Sequence, residues 1–118
     1  MTQPNGHELL EIARLTLLEQ VLPALAGELR YPALMIANAM AIAARESVLQ
    51  AGVCDQELVR LAALGCQATA SLPEARRQLA RAIRQGRHDA PQRRQALVEA
   101  LRQVTLDRLA ISNPKAVP

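Results

Sequence analysis

Apolar positions along the chain recur at intervals of three and four residues, and no run alternates apolar and polar residues as a half-buried strand would. At 100° per residue, Leu10, Ala13, Leu17, Val21 and Ala24 form one stripe, and Ile12, Leu15 and Leu22 a second. A first helix is therefore predicted over 7–22, with Asn5 as its N-cap and Glu8 three residues on. Pro23 ends or kinks it and Gly27 completes the break. A helix apolar on two sides is either buried between neighbours or set at a subunit contact. A second helix is predicted over 32–50, because Pro32 suits a first turn and Gly52 lies past the end. Its run from Ala33 to Ala44 holds one polar residue, Asn38, and Ala33, Ala37, Ala41 and Ala44 share a face open to close helix approach. That is the pattern of a buried central helix.

A short third helix is predicted over 56–64, capped by Asp55 and stopped by Gly65. The fourth opens on Ser71-Leu-Pro-Glu74, a capping box with proline in the first turn, and ends at Gly86. Its inner face is Leu72, Ala75, Leu79, Ala82 and Ile83. The fifth opens on Asp89-Ala-Pro-Gln92 and runs to about Ile111, with Leu97, Val98, Leu101, Val104 and Leu109 inward. Asn113-Pro114 ends it and leaves 114–118 as a loose tail. Short connections favour antiparallel neighbours, so the expected fold is all-α, a compact antiparallel bundle of about five helices in a single domain over 1–118.

Composition narrows the functional classes. Half of the 118 residues are hydrophobic and 21% are charged, which excludes an intrinsically disordered chain. Tyr31 is the one aromatic residue, so the chain lacks the stacking platforms of single-stranded nucleic-acid binders. Ala and Leu supply the expected core, and small side chains bury little area each, which favours a homodimer that buries more. Cys54 and Cys66 show no CxxC spacing and read as reduced thiols of a cytoplasmic protein. The N-terminus lacks the basic start and apolar run of a signal peptide. The longest weakly polar stretch, 32–44, is shorter than the ~20 residues of a membrane span, so no membrane partner is expected.

Charge is uneven. Residues 1–59 carry three arginines against seven acids, a net of −4, and residues 60–118 carry eleven basic residues against four acids, a net of +7. Such a division permits internal complementarity, self-association or an anionic partner.

Catalytic groupings are not apparent. His7 and His88 read as solvated histidines near helix starts, without a second ligand at metal-binding spacing, and no metal or cofactor is expected. Cys66 reads as an inert thiol, with no His or Lys placed beside it. Two groups stand out instead. Asn38 and Arg45 share a stripe of the predicted central helix, and Arg108 falls on the inner stripe of the fifth helix. A buried guanidinium needs an acid, for which Glu46 and Glu19 are candidates, so a polar network of Asn38, Arg45, Glu46 and Arg108 is expected to set helix register. The second group is Arg77, Arg81 and Arg84, one stripe of the fourth helix and a candidate anion-binding face, with Arg76, Arg87, Arg93 and Arg94 extending the charge. Nucleic acid is not the expected ligand, since recognition motifs and aromatic interleaving are missing.

The segments His7-Glu-Leu-Leu10, Val21-Leu-Pro-Ala-Leu25, Ala37-Asn-Ala-Met-Ala-Ile-Ala-Ala-Arg-Glu46, Ile83-Arg-Gln-Gly86 and Leu109-Ala-Ile-Ser-Asn-Pro114, in this order and spacing, resemble a bacterial family of small uncharacterised all-helical proteins. The resemblance covers nearly the whole chain and departs from the family at 66–70. Its members are often encoded beside acyl-CoA dehydrogenases and kinases similar to aminoglycoside phosphotransferases. The resemblance implies no catalytic residues. It implies an accessory role near acyl-CoA metabolism, with a dehydrogenase or kinase-like neighbour as protein partner. Together these readings lead to the expectation of a non-enzymatic, protein-binding accessory factor. The alternative is a small-molecule binder that holds an anion, such as a CoA phosphate, on the arginine-rich face.

Overall fold

Gly52 does not stop a helix. In the computed structural model, which describes residues 3–67 and 70–118, it lies inside a single 34-residue helix, Arg30–Ala63. The two helices expected over 32–50 and 56–64 are one. A lone helical glycine costs about 1 kcal/mol relative to alanine, and no proline follows to compound it. The flanking Leu49, Gln50, Gln56 and Leu58 all favour helix, and Asp55, the expected cap, is an interior residue.

The described residues form four α-helices and no strand: α1 (Gly6–Thr16), α2 (Arg30–Ala63), α3 (Leu72–Arg84) and α4 (Pro91–Ser112). The all-α reading stands, with four helices in place of five. Ala68 and Thr69, within the stretch where the family likeness departs, lie outside the described residues, as do Met1 and Thr2 of the N-terminal targeting reading.

Helix ends follow local chemistry. Asn5 Oδ1 accepts the Glu8 amide at 2.9 Å and starts α1. The chain leaves α geometry earlier than expected, passing through a π turn at Leu17–Val21 and a 3₁₀ turn at Leu22–Ala24. Pro23 has no amide hydrogen to continue the ladder, and the turn before it widens. Ser71 Oγ accepts the Glu74 amide at 3.3 Å and starts α3. Both α2 and α3 end in a Schellman motif. After α2, Gly65 adopts φ 102° and the Cys66 amide reaches back to Leu61 O at 3.1 Å. After α3, Gly86 adopts φ 76° and the Arg87 amide reaches back to Ala82 O at 3.1 Å. These are left-handed positions that glycine occupies without a Cβ clash. Beyond α4, Pro114–Ala116 forms a 3₁₀ turn.

The chain divides into two compact units. The first comprises residues 1–50 and 111–114, and the second 51–110 and 115–118. In the first unit the buried residues are Ala33, Ala37, Ala44 and Ile111, so three residues of the predicted small-residue face of α2 are buried and the fourth, Ala41, is partly buried. His7 Nδ1 donates to Ala44 O at 3.1 Å, and Arg45 Nε donates to Ile111 O at 2.7 Å, capping a carbonyl at the end of α4. The rest of this unit departs from expectation. α1 contains no buried residue. Leu34, Met35 and Ile36 point 100° apart around α2, yet each is about half exposed. More than half of the circumference of α2 is therefore open here, and it is not the buried central helix expected.

In the second unit Leu61 of α2 and Ala75 and Leu79 of α3 form a buried cluster, with Leu58, Leu64, Cys66, Leu72 and Leu97 packed against it. The inner stripe of α4 runs through Leu97 and Val104, while Val98 and Leu101, which were expected inside, are exposed. Arg108 lies four residues beyond Val104 on that stripe, which directs its guanidinium toward α2.

Candidate functional site

The most organised polar group in the molecule centres on a residue that sequence reasoning missed. Glu57 projects from α2 in the second unit, one turn before Leu61, and its side chain is 5% exposed. Arg76 of α3 grips it with two hydrogen bonds, Nε to Oε2 at 2.6 Å and Nη2 to Oε1 at 2.9 Å. Arg108 of α4 adds Nη2 to Oε1 at 2.7 Å. Three helices of one unit are thus tied to a single carboxylate. The paired hydrogen bonds from Arg76 hold the Glu57 carboxyl below its usual range, burial pushes it up, and Arg108 adds to the lowering. The acid stays ionised and its lone pairs are engaged, which suits it to fixing helix register and not to proton transfer. A second link between α2 and α4 is weaker: Arg60 Nη2 lies 3.7 Å from Asp107 Oδ2.

The expected network is redistributed. Arg108 does find an acid, but it is Glu57, not Glu46 or Glu19. Asn38 and Glu46 are exposed, and Arg45 serves the Ile111 carbonyl. Asn38, Arg45 and Glu46 belong to the first unit and Arg108 to the second. One signal for Glu57 was present in the sequence: it shares a helical stripe with Leu61 and Leu64.

The arginine stripe of α3 also divides. Arg77 pairs with Glu74, Nη2 to Oε2 at 2.7 Å, and this hydrogen bond holds the Glu74 carboxyl below its usual value. Arg84 is exposed, and Arg81 turns to line a cleft of about 680 Å³ in the second unit. Cys66 and His88 line the same cleft.

Neither histidine is the solvated residue expected. His7 is half-buried and hydrogen-bonded, and His88, in the turn that follows Gly86, is 8% exposed. Cys66 Sγ donates to Ala75 O at 3.5 Å, and burial pushes its thiol up, away from thiolate. Iodoacetamide at pH 8 should therefore modify Cys66 far more slowly in the folded chain than after unfolding in guanidinium, as peptide mass spectrometry reads directly. Equal rates would contradict this placement. Among the described residues no group of three His, Cys, Asp or Glu could hold a metal ion, and no helix is long and apolar enough to cross a membrane.

Against known families, the sequence profile described as Domain of unknown function (DUF6285) matches residues 23–116. The chain belongs to that family. No curated protein and no solved structure matches it.

Proposed function

We propose that this DUF6285 member is a non-enzymatic accessory protein that binds another protein through the apolar surface of its first unit. The observation that carries the reading is the exposure of that unit. Leu9, Ile12 and Leu15 on α1 and Leu34, Met35 and Ile36 on α2 are each about half exposed, while its buried residues are three alanines and one isoleucine. Large contiguous apolar surface marks interaction sites on folded proteins, and these six residues supply apolar side chains from which such a site can be built. The chemistry of the second unit supports a recognition role over catalysis, because Glu57 is held by two arginines and the Cys66 thiol is pushed away from its reactive form.

The family resemblance directs the choice of partner to an acyl-CoA dehydrogenase in the cytoplasm, with the helices as an antiparallel bundle and a homodimer as the competing use of the same surface. Sedimentation velocity of the chain mixed with the purified dehydrogenase from the same bacterium tests it. The expected result is a complex that an Ile12→Asp/Ile36→Asp variant fails to form while it keeps the parent's helical circular dichroism. A chain that sediments alone in every mixture overturns the reading.

A further inference from the structure

The cleft of the second unit makes no part of that proposal, and its lining has a chemistry of its own. Arg81 comes from α3, Arg87 and His88 from the turn after it, and Arg93 from the first turn of α4. None of the three arginines forms an ion pair with a described acidic residue. Arg93 Nη1 donates to the Arg87 carbonyl at 3.3 Å, which links the two segments that carry the charge. Among the described residues no carboxylate lines the cleft. Asp89 is the nearest acid in sequence, and its Oδ2 is set over Gly86, 3.0 Å from where a Cβ would stand. Glu74, the acid of α3, is taken by Arg77.

His88 supplies the second observation. It is more than nine-tenths buried, it lines the cleft, and its Nδ1 has no hydrogen-bond partner. Buried polar atoms are nearly always partnered, so the orphaned ring nitrogen marks His88 as an unsatisfied group in the wall of a cleft lined by three guanidiniums that form no ion pair, and that combination points to an anionic ligand. Helix ends act on both sides. The C-termini of α2 and α3 reach the cleft and oppose an anion by roughly half a charge each, while the N-terminus of α4 favours one by a similar amount. Three full positive charges outweigh that small balance. The volume lies within the ~300–1,000 Å³ of small-molecule sites, and the side-chain amides of Gln67, Gln78 and Gln85 offer further hydrogen bonds.

From this geometry we infer that the cleft is a binding site for a phosphorylated small molecule, with Arg81, Arg87 and Arg93 on the phosphoryl oxygens and His88 buried against them. The site takes Arg81 from the predicted arginine stripe, together with Arg87 and Arg93 that extend its charge, while Arg77 and Arg84 do not line it, and it does not depend on the proposed protein partner.

The chain has two histidines, one in each unit, which makes imidazole NMR a selective readout. Pyrophosphate is titrated into the full chain while the ring resonances are followed, with sodium chloride at matched ionic strength as one control arm and citrate as another. The expected result is a saturable shift of His88 with half-saturation below about 1 mM, no movement of His7, and weaker binding of citrate. An Arg81→Gln/Arg93→Gln variant should bind pyrophosphate about a hundredfold more weakly. A His88 signal that stays still, or that moves equally with chloride, overturns the site even if the variant does not fold. Citrate binding as tightly as pyrophosphate overturns the assignment to a phosphoryl group. Unchanged affinity in a folded variant overturns the role of the arginines.

Discussion

An Arg76→Ala/Arg108→Ala variant is expected to lose about 3 kcal/mol of stability at pH 7 in urea denaturation, because it leaves the Glu57 carboxylate buried without a counter-charge. The arginines themselves are about half exposed, at 47% and 51% of their side-chain surface, and can return to water. Glu57→Gln should therefore cost less than the double arginine variant. The pH dependence has opposite sign in the two proteins. In the parent the folded carboxyl lies below the ordinary 4.5, so its contribution is complete above that value and is lost as pH falls through the lower folded pKa. In the variant only burial acts on Glu57, which raises its folded pKa. The penalty is then full above that raised value and disappears as pH falls below the ordinary one. The stability gap between parent and variant should narrow as pH falls through the variant's raised pKa and on through the parent's lowered one. A gap that stays constant would show that the arginines act through packing alone.

Leu61→Ala should cost a similar amount, about 3 kcal/mol, read as a lower urea midpoint with an unchanged slope. Leu61 is 2% exposed and is the centre on which α2 and α3 meet within the second unit. It also anchors the Schellman turn that ends α2, where Cys66, the residue after Gly65, packs against the same cluster. Truncation removes about three methylene-sized groups from the centre of a leucine cluster whose members sit on separate helices and collapse inward only in part, and Ala75 is too small to fill the gap. A cost under about 1 kcal/mol would show that the cluster repacks freely and does not fix the helix ends.

What the sequence made legible was local. Asn5, Ser71, Gly65 and Gly86 each act through bonds to residues at most five positions away, and each marks a helix end where its chemistry placed it. The alanine face of α2 was legible for the same reason, since helical spacing alone aligns Ala33, Ala37 and Ala44. Gly52 was misread because a glycine stops a helix only where the chain also needs left-handed φ. Gly65 and Gly86 adopt positive φ, and Gly52 does not. The burial of Glu57 and of His88, which reads as solvated, was not legible because it depends on packing that periodicity within one helix does not describe. Glu57 is buried by helices that bring Arg76 and Arg108 to it, and periodicity within one helix cannot state which acid a distant arginine will find. The Arg77, Arg81 and Arg84 stripe shows the same limit: one stripe in sequence meets three environments once Glu74 and the cleft are in place.

The central claim is that the first unit is a protein-docking surface. Hydrogen–deuterium exchange of the full chain, alone and with saturating acyl-CoA dehydrogenase, tests it at the residues concerned. α1 has no buried residue to slow its opening, so its amides should exchange readily in the free chain. The account predicts that the partner slows exchange across residues 9–15 and 34–36 and leaves the cleft around Arg81 and His88 unchanged. Protection confined to residues 51–110, with none on α1, would contradict it.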